Sequence, residues 1–325
     1  MSRRRVGLAL GLLAVTLVGG YLFVGSLIYD KVSLTEANCG GRWPANTPSD
    51  FTSEDLDTQP FRMPIYEAVR IASREPSISL HGLYIPATAT PNAGTILIVH
   101  GHNVCVREPQ ELVAAGMAHR FGYAVLLIDL RNHGDSTIVN GRHAGGTNEY
   151  RDVLGAWDWL VTAKGVDPAR IGLLGFSLGA ATVIMAAGEE PRVAAVWEDS
   201  SYADLRVALR AELTRNGYPT FFEYAAYLAA RVESGDDLLS LSPFGAMAKL
   251  HGRPLYIVHG TADSRLSTQY ANDLAVAYRA GGGKVEPWIV DGSEHIKSIL
   301  DHPGDYEQRL STFFGTAIGQ PPAGR

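Results

Sequence analysis

The 325-residue chain reads as an α/β protein, a mostly parallel sheet covered by helices, carried behind an N-terminal helix of membrane-crossing length. Three observations predict this. Six short runs, at 95–101, 123–130, 170–176, 193–199, 254–260 and 285–290, are apolar at nearly every position, as strands buried on both faces require. Helix-like segments at 108–121, 148–164, 178–189, 267–280 and 303–316 alternate with them, the pattern of a sheet built by crossovers. Val6 to Ile28 is a stretch of 23 residues without Asp, Glu, Lys or Arg. As a helix it spans roughly 34 Å, enough for a hydrocarbon core of about 30 Å.

Taken in order, residues 1–30 predict a transmembrane anchor. Arg3, Arg4 and Arg5 precede the span and only Lys31 follows closely, so the positive-inside rule sets the N-terminus in the cytoplasm and the rest of the chain outside it. A signal peptide cleaved to release a secreted protein is the alternative, but the span is longer than such apolar regions and no A-x-A-like site follows it. Residues 31–60, rich in Pro, Gly, Ser, Thr and Asp, read as a spacer with Trp43 and Phe51 as docking points. The segment from Tyr66 to Ala87 alternates around a turn and predicts an antiparallel pair at the sheet edge. One domain then occupies 61–317, interrupted by a helical, aromatic-rich cap insertion at about 202–245 and followed by a flexible tail at 318–325.

A composition 46% hydrophobic and 19% charged supports one sizeable core. The net charge of −6, with no basic run, excludes a nucleic-acid partner. Two cysteines make neither a metal cluster nor a disulfide framework; Cys39 and Cys105 either pair in an oxidising compartment or stand as separate thiols. His100 and His102 lack a third ligand at metal spacing, so no metal site is expected.

The chemistry is carried by "GFSLGA" at 175–180. A serine between two glycines, where a buried strand turns into a helix, is pushed out at the sheet edge, and the helix N-terminus beside it favours a negative intermediate. Ser177 is therefore the nucleophile candidate. A hydroxyl needs a base, and the base needs a carboxylate, in the chain order serine, acid, histidine. Asp263, just past a buried strand in "HGTAD", is the acid candidate, with Asp291, Asp199 and Asp301 as weaker ones; His295, in "GSEH" after the last strand, is the base candidate, with His302 its competitor. Two amides should face the developing oxyanion: that of Leu178, after the nucleophile, and one from "VHGHNVCV", His102 or Asn103, where Gly101 permits a tight turn. "DLRNHGDS" at 129–136 is expected to brace the loops.

"HGHN", "DLRNHGDS", "GFSLGA", "HGTAD" and "GSEH", in that order and each at a strand end, resemble the α/β-hydrolase superfamily over about residues 62–317, in particular its membrane-anchored ABHD-like and bacterial esterase or acyl-peptidase-like members. The resemblance implies an α/β-hydrolase fold with Ser177, Asp263 and His295 as triad, Leu178 and His102 as oxyanion donors, and no cofactor. The absence of an HGGG-type run argues against bulky tertiary-alcohol esters. The expected activity is carboxylic ester hydrolysis of a small-molecule or lipid substrate. A peptidase or amidase on the same scaffold, a lipid or thioester hydrolase, and a non-catalytic membrane-tethered binding module are the other readings. Tyr218, Phe221, Phe222, Tyr224 and Tyr227 in the insertion are candidate pocket residues, or the insertion's own core, or contacts to a bilayer.

Overall fold

A computed structural model of the protein describes residues 3–36, 39, 41–88 and 94–319. Eight strands form one sheet: β1 (Glu67–Ala72), β2 (Ser79–Ile85), β3 (Thr95–Val99), β4 (Ala124–Ile128), β5 (Ile171–Phe176), β6 (Ala195–Asp199), β7 (Leu255–Gly260) and β8 (Trp288–Val290). Their order is β1-β2-β4-β3-β5-β6-β7-β8. β1 pairs antiparallel with β2, and β2 with β4; β3 to β8 run parallel. Every residue of β3, β4, β5 and β6 is buried, which is why these strands show no polar alternation, although β6 ends in the buried Glu198 and Asp199. The half-exposed β1 is the edge the alternating segment predicts. β8 is shorter than its apolar run because Pro287 offers no amide to the ladder and the strand begins after it.

Helices cover both faces. α3 (Tyr150–Thr162), α4 (Leu178–Glu189) and α8 (Gln269–Ala280) bury Trp157, Ile184 and Leu274 on one side. α2 (Pro109–Arg120) and α10 (Pro303–Ala317), the latter preceded by the short α9 (Ser298–Asp301), bury Leu112, Leu310 and Phe314 on the other. The insertion between β6 and β7 holds α5 (Leu205–Arg215), α6 (Glu223–Ala229) and α7 (Pro243–Ala248).

The N-terminal helix, α1, runs over Arg3–Ser33, past the expected end of the span, and is apolar and long enough to cross a membrane. Its last third packs on the cap. Gly25 lies so close to Ala225 that any side chain there would collide with it, and Ile28 and Tyr29 are buried with Leu209, Leu213, Ala226 and Ala229.

Residues 31–60 are not a spacer. Leu34 bridges to Arg142, a disulfide joins Cys39 to Cys105 with Cα atoms 5.2 Å apart, and Phe51 is buried in the α2 side of the core with Phe61 and Met63. Sparse apolar anchors and a cross-link hold a segment whose polar composition resembles a linker. Trp43 is only half-buried. At the other end Ile318 is buried, the Gly319 carbonyl accepts from Tyr123, and the rest of the expected tail, 320–325, lies outside the described residues.

Candidate active site

β5 ends at Phe176 and α4 begins at Leu178, so Ser177 alone makes the turn, with φ 53° and ψ −114°. This conformation is costly for a residue with a Cβ and is held by the surroundings. The Ser177 amide donates to the Asp199 carbonyl at 2.8 Å. A side chain at Gly175 would strike the backbone of Gly179, and one at Gly179 the carbonyls of Val99 and His100. Both glycines are therefore required by close approach.

The carboxyl ends of β7 and β8 bring the other groups over the same edge. Thr261 N–H donates to Val290 O and Ala262 N–H to Ser293 O, clasping the two loops, while Glu294 accepts from the amide and hydroxyl of Ser264. Within this clasp His295 Nε2 lies 2.8 Å from Ser177 Oγ, and His295 Nδ1 lies 2.7 Å from Asp263 Oδ2. Asp263 Oδ1 accepts from the amides of Arg265 and Leu266. Burial would raise the Asp263 carboxyl, but the bonds to His259 and His295 outweigh it and hold the group well below the usual carboxylate range.

The competing candidates lie elsewhere. Asp291 is exposed and accepts from Thr261 Oγ1; Asp199 accepts from the hydroxyls of Ser200 and Tyr306; Asp301 sits in α9 and His302 at the start of α10, both exposed. Burial, only partly offset by those hydroxyls, pushes Asp199 up to about 6.

Leu178 N–H opens α4 and has no acceptor within the helix. Gly101 stands where a side chain would come within 3.3 Å of Ser177 Cβ, so the backbone leading to His102 passes close beside the hydroxyl. The tight turn expected at Gly101 is made by Asn103 instead, at φ 58°; Gly101 serves close approach. His100 braces this loop, donating from Nδ1 to Gly101 O at 2.7 Å and accepting the Leu130 amide on Nε2 at 3.0 Å. The 129–136 segment is likewise a brace: Asp129 accepts from Val106 N–H and Asp135 N–H, and Arg131 binds Asp152 and Glu75.

Sequence reasoning passes over His259. It is fully buried, and its Nε2–H points at Leu266 O (3.0 Å) and at Asp263 Oδ2 (3.2 Å), behind the acid. The His-to-Asp spacing of four in "HGTAD" is the signal that locates it. Beyond it lies Glu198, which burial pushes up to about 8 against the charge of His259 and the Ser201 amide.

A cavity of about 500 Å³ opens on Ser177. His102, His143, Leu178, Tyr202 and Leu266 line its floor and sides, α5 contributes Leu205 and Leu209, and α1 contributes Lys31, Val32 and Ser33. The five aromatic candidates of the insertion do not line it. Tyr218, Phe221 and Tyr224 are exposed, and Phe221 and Phe222, in the turn before α6, stack against Tyr21 of α1, while α6 turns Ala225, Ala226 and Ala229 inward. Tyr227 is half-buried against the α1–cap cluster.

The sequence model of the prolyl oligopeptidase family (Peptidase_S9) matches residues 112–320. An uncharacterized Mycobacterium tuberculosis protein is 31% identical over 236 residues, 70% of this chain and 76% of that protein. Among solved structures, an esterase of Pyrococcus furiosus superposes with a TM-score of 0.64 at 20% identity, covering 84% of this chain and all (100%) of that one. An acylaminoacyl peptidase of Pyrococcus horikoshii gives 0.58 at 17% identity over 80% of this chain and 43% of that one. The fold is thus the α/β-hydrolase fold, with a hydrolase's strand-edge geometry, and the chain belongs to the prolyl oligopeptidase family.

Proposed function

We propose that the protein is a membrane-anchored serine esterase. The observation that carries this is the continuous chain of contacts from Ser177 Oγ through His295 to Asp263, at 2.8 and 2.7 Å, on a serine held at positive φ. Ser177 Oγ attacks the ester carbonyl as His295 Nε2 takes its proton. Asp263 steadies the imidazolium through Nδ1, and the amides of Leu178 and His102 receive the oxyanion. Return of the proton to the leaving oxygen releases the alcohol and leaves an acyl-serine. Water, deprotonated by the same imidazole, then frees the acid and restores Ser177.

The family and the likeness to an acylaminoacyl peptidase favour amide cleavage as the second reading. Both readings need Ser177. A fluorophosphonate probe is expected to label the wild type and not Ser177→Ala, with kcat on p-nitrophenyl butyrate falling by about four orders of magnitude or more. Unchanged labelling of the variant would overturn both, and faster turnover of an acylaminoacyl p-nitroanilide than of the ester would decide for the peptidase.

The proposed placement is a single-pass span with the N-terminus in the cytoplasm and the domain outside. Arg3, Arg4 and Arg5 before the span support it, as does the Cys39–Cys105 disulfide, which belongs to an oxidising compartment. Against release by signal cleavage stands the burial of Ile28 and Tyr29 in the cap.

A further inference from the structure

We propose that the cap lies in the leaflet through which α1 leaves the bilayer, seated by a stripe of apolar side chains on and flanking α6, and that the substrate is an ester-bearing amphiphile taken from that leaflet. The substrate class rests on the esterase reading; the seating does not.

α6 runs alongside α1 in the same direction. Tyr21 donates to Phe221 O and stacks on Phe222 at 5.5 Å, Gly25 meets Ala225, and the Tyr29 hydroxyl donates to Asp236 and hydrogen-bonds Ser234. Depth along α1 is therefore depth along the cap. Twenty residues counted from Val6 reach the hydrocarbon edge at Gly25, about 30 Å on, and six more reach Lys31 about 9 Å farther, where a headgroup layer of about 5 to 8 Å ends.

The outward side of the helical stretch 221–232, whose middle is α6, is apolar but for Arg231, which is exposed and pairs with Asp237. Phe221 (56% exposed), Tyr224 (62%), Leu228 (48%) and Val232 (76%) recur at intervals of three and four, one side of a helical stretch. Glu223, which would interrupt it, is buried and paired with Arg210. On this count Phe221 and Tyr224 fall at the level of Tyr21 to Gly25, where tyrosines and phenylalanines favour the membrane interface. Exposed rings continuous with a membrane-length helix mark a bilayer contact.

The cavity lies at the outer boundary of the headgroup layer. Its wall includes Lys31, Val32 and Ser33, and the imidazoles of His102 and His143 donate to the carbonyls of Leu34 and Val32, fixing the end of α1 beside Ser177. Ester carbonyls of amphiphiles sit in the headgroup layer, within reach of that wall. Val32, Leu205 and Leu209 suit an acyl chain, and Lys31, Arg215 and Arg265 suit a polar or anionic head.

The test uses the full-length protein in phosphatidylcholine vesicles. Both native cysteines are bonded, so Tyr224→Cys and Gln308→Cys each carry a single thiol for an NBD label. Quenching by spin-labelled lipid is expected at 224 and not at 308, which lies on exposed α10. The triple variant Phe221→Ser, Tyr224→Ser, Leu228→Ser should lose about tenfold in kcat/KM on a vesicle-borne monoacylglycerol, while p-nitrophenyl acetate in solution changes less than about twofold, the loss matching weakened apolar burial. An aqueous label at 224, or chain-to-chain crosslinking through it, overturns the seating, the latter assigning the stripe to a second copy. Equal turnover of both esters by the triple variant and wild type overturns the lipid-phase substrate. A wild type that cleaves neither ester refutes the esterase reading and the substrate class together, and the label still decides the seating.

Discussion

Two buried residues, His259 and Glu198, lie behind Asp263 and lend themselves to tests at the residue scale. His259 shares Asp263 Oδ2 with His295, so it sets where the carboxylate points. His259→Gln is expected to lower kcat about tenfold with KM within about twofold, since misplacement of the catalytic geometry acts on the transition state. Loss of a donor also raises the Asp263 carboxyl; an unchanged kcat in His259→Gln would reduce His259 to packing. Glu198 gives a second test. The folded state keeps its proton up to about 8 while the unfolded chain releases it near 4.5. Stability from this group is therefore complete below the unfolded value and is lost as pH rises through about 8. Asp199, raised to about 6, adds a loss of the same sign at lower pH. Melting followed by scanning fluorimetry should show the wild type weakening from pH 5 to 9 and Glu198→Gln weakening less, ending above the wild type at pH 9.

Elements divide sharply in how well the sequence declares them. Buried parallel strands are apolar at most positions, so their ends, and with them Ser177, Asp263 and His295, can be located from the residues alone. Burial made by a few anchors is not declared. Phe51 and Met63 dock a segment whose remaining residues are polar, and Gly25 meets Ala225 through a contact that leaves no periodic trace. The aromatic rings of α6 mislead for a related reason: ring content tells of apolar area, not of which neighbour receives it. The disulfide is the strongest of these ties, and the sequence leaves it open beside the alternative of two separate thiols. It joins positions 66 apart, a separation for which a cross-link contributes about 4 kcal/mol by the loop-entropy estimate. Reduction with dithiothreitol, or Cys105→Ser, should lower the melting temperature accordingly and also lower kcat, because Cys105 follows directly on the loop of Gly101 and Asn103.

The whole molecule cannot be divided into an anchor and an independent enzyme. Ile28 and Tyr29 complete the cap's small core, and Lys31, Val32 and Ser33 complete the cavity. Burying each of those two large side chains stabilises by about 1.5 to 3 kcal/mol. Deletion of residues 1–33 is expected to leave the sheet folded by circular dichroism, yet to expose the cap to bis-ANS and cut turnover of a soluble ester at least about tenfold. Full activity of the shortened chain would show that α1 only tethers. The Cys39–Cys105 bond sets an order of events in the life of the chain. While its two thiols are reduced, Cys39 is not yet tied to the loop that follows β3, so the covalent clamp beside the Ser177 cavity closes only where an oxidant is present.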